Sequence, residues 1–426
     1  MSAVGRQNDV LTQTGPNTPM GKLFRRYWIP ALLANELPSP DCPPVRVKLL
    51  SESLIAFRDS SGKVGLLDEF CAHRRVSLWF GRNEEGGIRC PYHGWKFDVT
   101  GQCVEIPSEP ETSKLCERIK LDAYPCFERG GVIWTYMGPA DLQPPLPEYE
   151  WATVPDAHRY VGKRIQENNY LQAMEGGIDS SHVSWLHSGE LATDPLHVGT
   201  SGAKYIANKR PMFEVNPSEG GLLIAVKRAI DSEKCYWRIT PWIMPWYTII
   251  PPYGENALRG HGWVPIDDEN CIVWTWAHHP TRPLEEAELH AMKHEDGAFA
   301  ALIPGTFTPV ANKRNDYLID REGQKSGRYF SGVKGIAMQD GSLQESMGAI
   351  VDRSKERLVS TDLAIVQARR RLIQAATDQA EGTAPPGLDP ETHRVRSASF
   401  VGPVNLSYPE LKTELAVRAG TTIKSI

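Results

Sequence analysis

No stretch of the 426-residue chain is long and apolar enough to cross a bilayer. The runs Tyr27 to Ala34 and Trp242 to Ile250 are short and interrupted by Pro30 and Pro245, so neither spans a membrane nor forms the apolar core of a secretory signal. An excess of one charge is missing too. The 47 Lys plus Arg stand against 52 Asp plus Glu, a net −5 with no basic block, which excludes an electrostatic footprint for nucleic acid or an anionic membrane surface. No Gly-x-Gly-x-x-Gly lies on a strand-to-helix turn, so no flavin or nicotinamide site is expected within the chain. There is no internal repeat and no low-complexity tract. Cysteine numbers only eight, and 426 residues are enough to bury sizeable cores, which excludes a disulfide-stapled miniprotein. Without an export signal the expected compartment is the cytoplasm, where reducing conditions leave cysteines as thiols or metal ligands.

What is present divides in two. From Val45 to about Trp134, short β-rich stretches such as Val45–Leu50, Leu54–Phe57 and Val132–Thr135 are separated by turn clusters like Asp59-Ser60-Ser61-Gly62, the pattern of a many-stranded antiparallel domain. The proline-rich run from Gly138-Pro139 to Pro147 removes backbone donors and marks a boundary, giving domains at 1–138 and 139–426. The second part opens with a helical stretch around Asn169 to His187. It continues with alternating strands at Cys235–Thr240 and Cys271–Trp276 and returns to helix at Leu284–Leu302, Asp362–Ala376 and Leu411–Val417. Residues 380 to 403 read as a surface excursion. The class is α+β: a small antiparallel β domain, then a sheet with a long C-terminal helix.

Cys71-Ala72-His73 and Cys90-Pro91-Tyr92-His93 each offer one thiol and one imidazole, so two loops face one site. Two thiolates hold one iron of a [2Fe-2S] cluster while two imidazoles hold the other, which raises the reduction potential above that of an all-cysteine cluster. Structural zinc is the rival, but zinc fingers take their ligands as C-x-x-C and H-x-x-x-H pairs, whereas each loop here mixes the two types. Pro91, Gly94, Arg74 and Arg75 supply tight backbone and donors around the ligands.

A second set lies at Asp179-Ser180-Ser181-His182-Val183-Ser184-Trp185-Leu186-His187. On a straight helix His182 and His187 would point some 140° apart, so convergence on one ion requires the helix to end or bulge between them. A ferrous ion that keeps open positions for oxygen and substrate takes two histidines and one carboxylate. Asp362, opening a helix after Ser360 and Thr361, is the expected third ligand. Its structural alternative is a carboxylate serving the free amides of that helix.

The Cys71-Ala72-His73-Arg74-Arg75 and Cys90-Pro91-Tyr92-His93-Gly94-Trp95-Lys96-Phe97 segments resemble the fingerprint of Rieske [2Fe-2S] proteins. With the D-x-x-H-x-x-x-x-H motif, Thr14–Gly21 and Asn169–Gly176, nearly the whole chain resembles the Rieske non-heme iron ring-hydroxylating oxygenases of the phthalate 4,5-dioxygenase group. The resemblance implies a Rieske domain followed by a helix-grip (START-like) catalytic domain. It implies a cluster on Cys71, His73, Cys90 and His93, mononuclear Fe(II) on His182, His187 and Asp362, and an oxygenase without a β subunit. Asp179 is implied to bridge His182 or His187 to His93 of another chain, within a homotrimer or stacked trimers.

The same resemblance implies O2-dependent cis-dihydroxylation of an aromatic carboxylate, phthalate, isophthalate or a halobenzoate, with electrons from an external NAD(P)H-dependent reductase. Monooxygenation or O-demethylation uses the same centres, and a non-catalytic electron carrier would need only the first domain. Trp242, Trp246, Tyr247, Trp263, Trp274 and Trp276 are candidates for an aromatic pocket wall. Lys204, Lys209, Arg210, Arg228, Arg238 and Arg259 are candidate cations for a carboxylate, with Arg210 and Arg259 preferred. Cys42, Cys103, Cys116, Cys126, Cys235 and Cys271 show no paired metal spacing and read as small buried groups. His278-His279, adjacent on a strand, point to opposite faces.

Overall fold

The computed structural model describes residues 3–110, 112–192, 208–252, 257–294 and 297–419. The chain forms two compact units, Thr14–Pro144 and Met1–Gln13 with Pro145–Ile426. The expected division at 138 therefore moves in two places. Residues 139 to 144 stay with the small unit because their carbonyls are captured there: Trp28 Nε1 donates to Pro144 O at 3.1 Å and the Tyr136 hydroxyl to Pro139 O at 3.1 Å. A run that cannot donate is held by what it accepts. The first helix, α1 (Ala3–Thr12), belongs instead to the large unit, where the Tyr170 hydroxyl donates to Leu11 O and the Asn169 amide to Thr12 O.

The small unit is built from ten short strands, β1 (Trp28–Leu33), β2 (Val45–Leu49), β3 (Glu52–Arg58), β4 (Val64–Asp68), β5 (Arg82–Glu84), β6 (Gly87–Arg89), β7 (Lys96–Phe97), β8 (Cys103–Glu105), β9 (Cys126–Arg129) and β10 (Val132–Tyr136). They form three antiparallel sheets, β1-β10-β9, β2-β3-β4 and β5-β6-β7-β8. Ile55, Phe57, Leu67, Leu78, Ile88 and Phe97 make a closed apolar core against which the two cysteine loops rest.

The large unit holds an eight-stranded antiparallel sheet of β11 (Arg159–Gln166), β12 (Met212–Pro217), β13 (Gly221–Ala229), β14 (Lys234–Ile243), β15 (Tyr247–Ile250), β16 (Leu258–Pro265), β17 (Cys271–His278) and β18 (Ala398–Pro403). Its order is β11-β17-β16-β15-β14-β13-β12, with β18 added to β14. One edge of β14 is shared, Trp242 and Ile243 pairing β15 and Lys234 to Ile239 pairing β18. Residues 398 to 403 are thus a sheet strand, not part of a surface excursion. Ala398 and Phe400 pack under Trp237, a long-range contact that local composition does not encode.

The longer helices of the unit are α2 (Tyr170–Ile178), α3 (Glu286–His294), α4 (Ile336–Ser346), α5 (Leu363–Ala380) and α6 (Tyr408–Ala419). The expected helix at Leu284–Leu302 is the shorter α3. Among the described residues no helix is long and apolar enough to cross a membrane. Two glycines let α2 close on its neighbours: a Cβ on Gly177 would sit 2.0 Å from the Trp263 ring of β16, and one on Gly176 2.2 Å from the Gln344 amide of α4. Buried Glu175 takes Arg369 at 2.7 Å and Arg353 at 3.3 Å, tying α2 to α5.

Candidate metal centres and cavity

The two cysteine loops repeat one design. Cys71 N–H bonds Val76 O and Cys71 O accepts from Arg75; Cys90 N–H bonds Trp95 O and Cys90 O accepts from Gly94. The fifth residue of each turn has positive φ, 59° at Arg75 and 75° at Gly94. Glycine meets that demand without strain; Arg75 meets it while its guanidinium pairs with Asp68 at 2.6 Å. Both sulfurs point inward, Cys71 being 1% and Cys90 2% exposed, whereas His73 and His93 are exposed. The two imidazoles lie 4.5 Å apart, and His73 stacks on Trp95 at 4.6 Å. Burial and the neighbouring Cys90 thiol push Cys71 up to about 11. Burial, with His73 and Arg74 beside it, lowers His93.

In the large unit α2 ends at Ile178, before the histidine motif, and His182–Ser184 is a tight 3-10 turn. The break that the five-residue spacing demands is therefore present. Buried Arg228 fixes the turn by donating to Ser180 O at 2.5 Å and to Ser184 Oγ at 3.4 Å. Among the described residues one group of three metal-binding side chains has its ligand atoms within 4.8 Å of one another: His182, His187 and Asp340. Asp340 Oδ1 lies 3.5 Å from His182 Nε2 and 3.3 Å from His187 Nε2.

The outer nitrogens are held as well. Asp179 Oδ2 lies 3.3 Å from His182 Nδ1, and Gln339 Oε1 lies 2.7 Å from His187 Nδ1. Gln339 is oriented by its own amide, which donates to Val333 O at 3.0 Å. Each Nδ1 then serves as donor, and both Nε2 lone pairs are directed at one point. Burial opposes charge on His182, but the Asp179 hydrogen bond and the Asp340 carboxylate outweigh it and raise the imidazole to about 9. Burial would lift Asp340, yet His187 and His182 hold its carboxyl down at about 2.

Asp362 is corrected by this geometry. Its Oδ2 accepts the Val359 amide at 2.7 Å at the head of α5, which packs on α1, β12 and β13, and it lines no part of the cavity at the histidines. It serves as the helix-terminal carboxylate named as its alternative. Asp340 carried its own signal: it is the one charge from Ile336 to Leu343, and a lone carboxylate on a largely buried helix is costly unless something pairs with it. Gln339, also missed, had no such mark.

The three donors open into a cavity of about 110 Å³. Aliphatic side chains, among them Ile178, Val183, Leu191, Ile250 and Ile336, line it together with Arg238, Arg259 and His261. Burial and the Arg164 charge pull His261 down to about 4, so its imidazole is neutral at pH 7. Of the two preferred cations, Arg259 is on the wall, while Arg210 is exposed outside the lining, its backbone amide donating to Asn208 Oδ1. Arg238 takes its place beside Arg259, Arg228 is committed to the metal loop, and Lys209 covers the Trp185 ring at 3.5 Å. Lys204 lies outside the described residues. The six aromatics are core: none lines the cavity, and Trp242, Trp246, Tyr247 and Trp276 are almost wholly buried. At alternating positions of a sheet covered on both faces, large rings pack rather than line.

Because Gln339 sets His187, Gln339→Leu is expected to weaken iron binding about 10- to 100-fold, the usual loss for an outer partner of a metal histidine. Chelator competition measures it; unchanged affinity would show that His187 needs no such support.

Comparisons with known proteins agree with this geometry. The Rieske [2Fe-2S] domain family matches residues 27–125 and the family described as LigXa C-terminal domain like matches 135–413. The chain is 39% identical to the 3-chlorobenzoate-3,4-dioxygenase oxygenase subunit of Comamonas testosteroni, over 91% of this chain and 92% of that one. It is 36% identical to the phthalate 4,5-dioxygenase oxygenase subunit of Pseudomonas putida, over 92% and 91%. Its fold is shared with dicamba monooxygenase bound to 3,6-dichlorosalicylic acid, with TM-score 0.58 and 19% identity over 84% of this chain and 98% of that one.

Proposed function

The chain belongs to the Rieske non-heme iron ring-hydroxylating oxygenases, in the phthalate 4,5-dioxygenase group, and we propose that it is the oxygenase component that cis-dihydroxylates a single-ring aromatic carboxylate. The observation that carries this reading is one cavity lined both by His182, His187 and Asp340 and by Arg238 and Arg259.

The donors fit the groups they are assigned. The buried Cys71 and Cys90 thiols and the exposed His73 and His93 imidazoles would hold a [2Fe-2S] cluster, one pair to each iron. These four do not gather as the 4.8 Å group does, which argues against a single zinc ion. His182, His187 and Asp340 would hold Fe(II) on one side and leave the cavity side open. When bound, the cluster supplies electrons singly and the ferrous ion supplies the site of O2 activation.

The chain's own residues do the rest. Arg238 and Arg259, on β14 and β16, take the substrate carboxylate and fix the ring by that anchor. The aliphatic wall excludes water and accepts the ring face. The cavity, about 110 Å³, is on the scale of those that hold one benzene ring, about 150 Å³. Asp179 holds the His182 Nδ1 proton and joins that imidazole to His93 of the partner subunit in a head-to-tail trimer, and a separate reductase and O2 complete the system.

Oxygen uptake and product analysis with phthalate, isophthalate and 3-chlorobenzoate, using a generic reductase, test this reading. A cis-diol from at least one acid is expected, and consumption of none would overturn the substrate class. Arg259→Gln is expected to raise KM for the acid about 10- to 100-fold with a smaller effect on kcat, since a hydrogen bond to a charged group contributes about 1.5–3 kcal/mol. An unchanged KM would remove Arg259 from the anchor.

A further inference from the structure

The small unit contains a second pair of thiols outside the ligand loops. Cys103 Sγ and Cys116 Sγ lie 3.9 Å apart, Cys103 buried and Cys116 half-buried. Their backbones are already held side by side: Cys103 N–H donates to Ile119 O at 3.0 Å, and the Gln102 amide donates to Cys116 O at 2.6 Å and Ile119 O at 3.1 Å. A disulfide needs the sulfurs at about 2.05 Å, a further approach of about 2 Å. Among the described residues no other cysteine outside the ligand loops has a sulfur within hydrogen-bond reach; Cys126, for instance, donates to Tyr124 O.

The span between them backs the second ligand loop. β8, which starts at Cys103, pairs with β7, and Glu105 holds Arg89 at 2.9 Å and Lys96 at 3.3 Å. Pro107 packs so closely on Gly94 that a Cβ there would meet it at 2.9 Å. Cys103 itself sits in the same apolar core as Cys71 and Cys90.

The structure assigns Cys103 and Cys116 as an oxidisable dithiol, which a peroxide converts to a disulfide that ties down the span behind the second ligand loop. The half-buried Cys116 thiolate attacks a peroxide oxygen; the S–O bond forms, the O–O bond breaks and water leaves with the thiol proton. Cys103 sulfur then attacks the sulfenic sulfur, the S–S bond forms, the S–O bond breaks and a second water carries off the Cys103 proton. Two thiols lose two electrons and hydrogen peroxide gains them. The reaction draws on neither the iron site nor the substrate, so it stands independently of the proposed activity.

The test treats the cluster-loaded full chain with hydrogen peroxide, blocks free thiols with iodoacetamide and maps the peptides by mass spectrometry. The expected product is a peptide pair joined through Cys103 and Cys116, two hydrogens lighter than the separate thiol peptides and released by dithiothreitol. The cluster's visible absorbance should persist and bleach several-fold more slowly on heating than in the reduced-thiol protein. In Cys116→Ser the linked pair disappears and Cys103 is recovered alkylated after denaturation. Recovery of Cys116 as sulfinic acid or free thiol beside free Cys103, or a link from Cys103 to Cys71 or Cys90, overturns the proposal. The mapping on the native chain decides even if the variant fails to fold.

Discussion

Asp340→Asn should lose at least about 100-fold in oxygen uptake with the aromatic acid, whereas Asp362→Asn should turn over like the native chain. The reasoning starts from the distances. Among the described residues Asp340 is the carboxylate that reaches both Nε2 atoms, at 3.3 and 3.5 Å, so its removal takes the one negative charge out of the proposed ligand set, and the loss should exceed the 10- to 100-fold typical of outer partners. Asp362 is occupied with the Val359 amide, and its change touches only the head of α5. The [2Fe-2S] absorbance provides an internal control for folding, because the Rieske domain and its two cysteine–histidine loops lie in the other unit. Activity lost in Asp362→Asn but kept in Asp340→Asn would reverse the assignment.

The second large effect is expected at Asp179. Asn at this position keeps the size and the acceptor for the Ser181 amide, now at 2.7 Å, but loses the charge facing His182 Nδ1. Burial works against the Asp179 charge, and the His182 hydrogen bond and charge overcome it, lowering the carboxyl below its ordinary value. The native residue is therefore a carboxylate at neutral pH. In Asp179→Asn, iron content and acid binding should stay near native while steady-state turnover falls on the order of 100-fold. Stopped-flow mixing of the pre-reduced protein with O2 and the acid separates the explanations. Slow reoxidation of the cluster with iron retained supports the bridging role; a native rate would reduce Asp179 to a residue that shapes the turn.

The two cysteine–histidine loops and the meeting of His182 with His187 were legible because short local motifs carry them. Each loop brings its own cysteine and histidine within three residues, and the turn around each needs only neighbouring backbone bonds. That a continuous helix could not carry both His182 and His187 was legible for the same reason, although the helix ends at Ile178, ahead of both histidines and not between them. The third ligand was not. Asp340 lies about 150 residues beyond the histidines and reaches them only because Gly176 and Gly177 allow α2 to press against α4 and β16. Local pattern favoured Asp362, whose helix-start position is equally well explained by capping. The cavity wall failed in the same way. Tryptophans on strands β14, β16 and β17 look like a ring-binding surface in sequence, but sheet packing buries them, and the lining falls to aliphatic residues and to Arg238 and Arg259. Strand β18 was misread because its partner, β14, is over 150 residues away.

Iron and acid-labile sulfide counted per chain, in the native protein and in Asp340→Asn, test the central assignment most directly. Two kinds of iron centre in one chain predict about three irons and two sulfides in the native protein. They predict about two irons with both sulfides retained in the variant. Two irons in the native protein, or three in Asp340→Asn, would contradict a mononuclear site on His182, His187 and Asp340.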